Sequence, residues 1–181
     1  MSNTSRKITA LLIVLLAPGA TAVAQAPQRT EATYGDWTVR CQMQAGNPPQ
    51  KMCDVAQEYG PQVAGQSPAR AQTTQVTQVM IARRSKRDQI RLVIQVQPNV
   101  LIGAQVKFVY DDKLPGLVLP FSRCFPTACF ASGPFPDDVA KKLRSRTLPG
   151  RIEFTDGGER KVTVPVSFKG FATAFDVWLK E

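Results

Sequence analysis

Cys41, Cys53, Cys124 and Cys129 carry the clearest chemistry in this chain, and they are its only cysteines. An even count reads as two disulfides if the chain is exported, which its first residues (Arg6-Lys7, the apolar run Ile8–Leu16, then Ala22-Val23-Ala24) predict. Three pairings are open. The local one, Cys41 with Cys53 and Cys124 with Cys129, is favoured because each pair brackets a turn-rich stretch. Gly46-Asn47-Pro48-Pro49 lies inside the first and Phe125-Pro126-Thr127-Ala128 inside the second. Each closure would add roughly 2–3 kcal/mol in the chain-entropy model. As a redox pair, Cys124 and Cys129 have four residues between them, where a thioredoxin-like motif has two, and no βαβ pattern surrounds them. A four-cysteine zinc site competes with oxidation outside the cytoplasm.

The chain contains no histidine. That removes Ser/His and Cys/His nucleophile pairs, His-ligated zinc and the usual general base near neutral pH. Asp111-Asp112 and Asp137-Asp138 are the adjacent carboxylate pairs, and neither has the glycine-spaced ligand positions of an EF-hand loop. Asp36 and Asp111 would make an acid/base pair only if the fold joined them. Ser85-Lys86 and Ser167-x-Lys169 are too common a pattern to argue for a Ser/Lys dyad. Trp37, Phe121, Phe125, Phe130 and Phe135 could form a platform for sugar, but core packing is the expectation. No catalytic residue, metal ligand or cofactor site is assigned.

Positive charge is the remaining chemical signal, at a net +9. Arg83, Arg84, Lys86 and Arg87 place four cations within five positions. They form the candidate contact for an anionic ligand, since guanidinium groups grip phosphate and sulfate in bidentate fashion. The competing reading is a solvated hairpin tip that discourages edge aggregation. Lys141, Lys142, Arg144 and Arg146 lie along an expected helix, with a solvated face as the default.

Stepping out from these residues, the elements that must hold them are mostly strands. Ile90, Leu92, Ile94 and Val96 alternate with Arg91, Val93, Gln95 and Gln97, and Gln75–Ala82 is the expected hairpin partner. Val106, Phe108 and Tyr110 define another strand, and Val162, Val164 and Val166 another. Pro165 cannot donate to a ladder, so that last strand belongs at an edge or at a bulge. Asp156-Gly157-Gly158 is the turn joining it to Ile152–Phe154. Shorter strands fit Trp37–Cys41, Cys53–Glu58, Leu117–Leu119 and Ala128–Ser132. Helices are expected at about Asp137 to Arg146 and Gly170 to Lys180. Residues 60–74 read as a polar loop.

The N-terminus supplies the address. Arg6 and Lys7 precede an apolar run from Ile8 to Leu16, and Ala22-Val23-Ala24 is a small-x-small cleavage site. Residues 1–24 therefore read as a cleaved secretory signal peptide, 25–33 as a flexible lead-in and 34–181 as a single domain. The apolar run is shorter than the roughly 20 residues a membrane-spanning helix needs. A basic exported domain is drawn to anionic lipid or glycan, and export makes nucleic acid an improbable partner.

Taken in order, Gly35-Asp36-Trp37, Cys41, Cys53, Val93–Gly103, Gln105–Asp111, Leu119-Pro120-Phe121-Ser122-Arg123-Cys124, Ala128-Cys129 and Val164–Ala174 form a set of landmarks. The set resembles the invasion-associated locus B (IalB) family of secreted bacterial proteins, over about Tyr34 to Leu179. The resemblance implies an immunoglobulin-like β-sandwich of short antiparallel strands with one or two short helices. It also implies two local disulfides and export to a Gram-negative envelope, periplasmic or associated with the outer membrane. It transfers no catalytic residues, and the invasion role of the founding member carries over only where there is a host. The expected function is non-catalytic binding to an envelope protein, an anionic envelope surface or a host cell surface. The alternatives are a small thiol-redox factor or other envelope enzyme, and an assembly or chaperone factor offering a strand edge.

Overall fold

Alternating burial defines the strands. In Arg91–Val96 the side chains at Leu92, Ile94 and Val96 point inward, while those between them stay partly or wholly exposed. The computed structural model describes residues 29–59, 77–101 and 103–181. The expected signal peptide (1–24) and the expected polar loop (60–74) lie outside these residues.

Among the described residues, ten strands and two helices follow in chain order. They are β1 (Arg29–Tyr34), β2 (Trp37–Gln44), β3 (Gln50–Tyr59), β4 (Thr77–Ala82), β5 (Arg91–Val96), β6 (Gln105–Val109), β7 (Leu117–Phe125), β8 (Ala128–Pro134), α1 (Asp137–Arg144), β9 (Gly150–Thr155), β10 (Lys161–Val166) and α2 (Phe171–Lys180). Every pairing is antiparallel, in the order β1-β2-β3-β4-β5-β8-β7-β6-β9-β10. The mainly β architecture, two short helices and two disulfides are those expected.

Strand β7 joins two arms. Its first half, Leu117–Pro120, pairs with β6, and its second half pairs with β8 from Phe121 onward. The register slips between Phe121 and Arg123. This irregularity falls just after Pro120, which cannot donate to a ladder, and it redirects the strand. Both arms line one core, with Trp37, Val55 and Leu92 from the first and Val106, Phe108 and Ile152 from the second. Helix α2 covers the first arm, burying Phe171, Ala174, Phe175 and Trp178.

Two sequence boundaries are corrected. Residues 29–33 are not lead-in but most of β1, paired along its length with β2. Helix α1 stops at Arg144 rather than Arg146, because the amides of Ser145 and Arg146 bond back three residues, to Lys142 and Leu143, and tighten the last turn. Pro165 lies on the edge strand β10, as its missing donor requires.

The disulfides have the local connectivity. Cys41 stands opposite Cys53 across β2 and β3, with Cα atoms 4.1 Å apart, and Cys124 opposite Cys129 across β7 and β8, at 4.0 Å.

Candidate binding surface

The basic turn between β4 and β5 is partly structural. Arg83 Nη2 donates to the Leu179 carbonyl at 3.0 Å and Lys86 Nζ to the Lys180 carbonyl at 2.9 Å. The Arg83 guanidinium also lies 4.8 Å from the centre of the Trp178 ring. A helix leaves its last carbonyls unpaired and negatively polarised, and these two cations satisfy both needs at the end of α2. Of the four residues proposed to contact an anion, Arg83 and Lys86 are thus bonded to the end of α2; Arg83 is half-buried, and Arg84, Lys86 and Arg87 are exposed. Arg83→Ala is expected to cost about 1–2 kcal/mol, against at most about 0.5 for Arg84→Ala, in urea denaturation.

The cations around α1 are mostly paired as well. Lys142 bonds Asp138 one turn back, Arg144 bonds Asp176 of α2, and Arg146 reaches Asp111 at 2.6 Å. Asp112 is held by Arg151. Asp36 accepts a 2.6 Å bond from Ser167 Oγ, so Asp36 and Asp111 serve different partners and form no acid/base pair. Cys41, Cys53 and Glu181 come close together, but the two cysteines are bonded to each other and Glu181 pairs with Lys51. That cluster offers no thiolate to a metal.

The Ser167 contact belongs to a polar clasp between the start and the end of the domain. Trp37 Nε1 donates to the Ser167 carbonyl at 2.8 Å, and the Ser167 amide donates to Gln57 Oε1 and Tyr59 Oη, each at 3.0 Å. The Asp36 amide donates to the Lys169 carbonyl at 3.0 Å. Gly35 and Gly170, both at positive φ, let the two backbones cross.

These groups set the pH response. The Lys113 amide and the Arg146 guanidinium hold Asp111 below the usual carboxylate range, Lys142 does so for Asp138, and the Arg160 amide and side chain do so for Asp156. Burial pushes the Tyr59 phenol well up. A lowered carboxyl stabilises the fold above its unfolded pKa of about 4, and the contribution disappears as pH falls through the native value. A raised phenol stabilises below about pH 10, and the contribution disappears as pH rises further. With no histidine and no free cysteine among the described residues, the urea midpoint should stay level between about pH 5 and 9. A marked slope near pH 6.5 would contradict this assignment.

Of the five aromatic residues expected to pack in the core, one is exposed. Trp37 and Phe135 are core residues as expected, and Phe121 and Phe130 are half-buried. Phe125 is 52% exposed, next to the β7–β8 turn. It meets Phe130 edge-to-face at 6.0 Å. The Arg123 guanidinium lies 5.8 Å from the Phe125 ring and 5.4 Å from Phe130. Each interaction contributes on the order of 0.5–1 kcal/mol where exposed. The signal was present in the sequence. Phe125 precedes Pro126 inside a six-residue cysteine-bracketed turn, and turns run over the surface.

Residues 37–178, which include Trp37, Gln57, Tyr59 and Ser167 of the clasp, match the model of the "Invasion associated locus B (IalB) protein" family. The chain belongs to the IalB family. The Invasion protein B homologs of two Brucella abortus strains, 2308 and 9-941 (biovar 1), are each 29% identical to it over 146 residues, 81% of this chain and 77% of theirs. The crystal structure of invasion associated protein B from Bartonella henselae superposes with a TM-score of 0.64 at 18% identity, covering 83% of this chain and 95% of that one. At that identity the match supports the IalB fold alone. Among the described residues, no helix is long and apolar enough to cross a membrane.

Proposed function

We propose that this IalB-family chain is a non-catalytic envelope protein, exported to the periplasm or the outer membrane of a Gram-negative bacterium, that acts by binding. The observation that carries the reading is the Arg123–Phe125–Phe130 group. It is an exposed ring with a guanidinium within about 6 Å of its centre and a second ring edge-to-face on it, carried on a disulfide-stapled hairpin. Aromatic and arginine side chains of this kind anchor protein interfaces because they bury much area at little entropic cost. The preferred partner is another envelope protein, or a host surface protein where the bacterium has a host. Anionic lipid or glycan is the weaker choice, because the basic turn spends Arg83 and Lys86 on α2. The leader at residues 1–24 and the invasion-associated names of the relatives support the cellular setting.

The test is a photo-crosslinking amino acid at position 125 in the native bacterium, with position 151 on the other arm as control. A protein captured at 125, absent at 151 and lost with Arg123→Glu, would support the reading. Equal capture at both positions would refute it. So would capture of lipid or glycan alone, released by salt.

A further inference from the structure

The two disulfides differ in what surrounds them. In the first pair Cys41 is buried and Cys53 half-buried, with Trp178 of α2 donating to the Cys53 carbonyl at 3.0 Å, so neither half is fully exposed. In the second pair, Cys129 is fully buried whereas Cys124 is exposed. We propose that Cys124–Cys129 is a thiol-exchange site, attacked at Cys124 by an external thiol and opened while the fold stays intact. This goes beyond the binding role and does not depend on it.

Exchange at a disulfide needs a thiolate to approach the attacked sulfur from behind, along the S–S axis. With one half of the pair exposed and the other buried, solvent reaches Cys124 and the protein interior shields Cys129. An incoming thiolate therefore bonds to Cys124 Sγ as the Cys124–Cys129 bond breaks. The electron pair leaves on Cys129 Sγ, which takes up a proton from solvent. If the reagent is a dithiol, its second thiolate attacks its own sulfur in the mixed disulfide and frees Cys124 as a thiolate. The protein is then reduced by two electrons and the dithiol is oxidised to its disulfide.

A second feature accommodates the product. Cys129 Sγ lies 3.6 Å from the Pro98 carbonyl oxygen. The oxidised sulfur carries no hydrogen, but the released thiol finds a hydrogen-bond acceptor already in place, which lessens the cost of leaving a buried polar group unpaired. Opening the bond removes the covalent staple from the hairpin that carries Phe125.

Native full-length protein is titrated with dithiothreitol at neutral pH without denaturant, trapped with N-ethylmaleimide and mapped by peptide mass spectrometry. Tryptophan fluorescence is followed in parallel, since Trp37 and Trp178 are both buried. The expected result is labelling of Cys124 and Cys129 at least about tenfold faster than Cys41 and Cys53, with native fluorescence. With glutathione as the probe, the adduct should sit on Cys124 and not on Cys129. Equal rates for the two pairs, earlier opening of Cys41–Cys53, labelling only as the fluorescence is lost, or an adduct on Cys129 would each overturn the proposal.

Discussion

Gly170→Ala is expected to lower stability by on the order of 3 kcal/mol or more, read as a fall in the urea midpoint. Gly170 has φ +83°, and a Cβ placed there would overlap the Tyr34 carbonyl oxygen and crowd the Gly35 amide. Those atoms are backbone, so relief requires separating the two strands of chain that the clasp joins. Gly103→Ala is the control, because Gly103 has φ +102° with nothing within 4 Å of the added carbon. It should show only the conformational cost, about 1–2 kcal/mol. Equal losses for the two variants would mean that backbone conformation, and not the crossing, decides the position.

The second large effect is at Trp37, which is fully buried and packs edge-to-face on Phe171 with ring centroids 5.1 Å apart. Trp37→Ala should cost about 3–5 kcal/mol from the lost burial and the cavity left behind. Trp37→Phe keeps an aromatic ring but leaves the Ser167 carbonyl without its indole donor, for an expected cost of about 1–3 kcal/mol. Thermal or urea unfolding of both variants separates packing from hydrogen bonding. A Trp37→Phe variant as unstable as Trp37→Ala would assign most of the effect to the hydrogen bond.

Much of the scaffold was legible because its strands have one dry face. Ile90 to Val96 and Val162 to Val166 alternate clearly, and period-two burial follows. The turn residues between the cysteines also pointed to the right disulfides. Strand β1 was not legible, since Arg29–Tyr34 is polar on both faces and none of its residues is fully buried. It exists because β2 offers a free edge, which is a tertiary fact. The roles of Arg83 and Lys86 were hidden for a similar reason. Their carbonyl partners lie 96 and 94 residues away, and no local pattern distinguishes a helix-capping cation from a solvated one. Phe125 shows the opposite error, where general expectation about aromatic residues outweighed a local turn signal.

The clasp also fixes an order of events during synthesis. Trp37 and the Ser167 carbonyl it binds are 130 residues apart, so almost the whole domain must leave the ribosome before the contact can form. Until then the Trp37 indole has neither its acceptor nor the Phe171 ring beside it. Long-range closure of this kind slows folding, because the entropy of bringing the ends together is spent before any contact repays it. A nascent chain of this design remains unfinished through most of its own translation, which is the state a chain must be in to be threaded through an export channel.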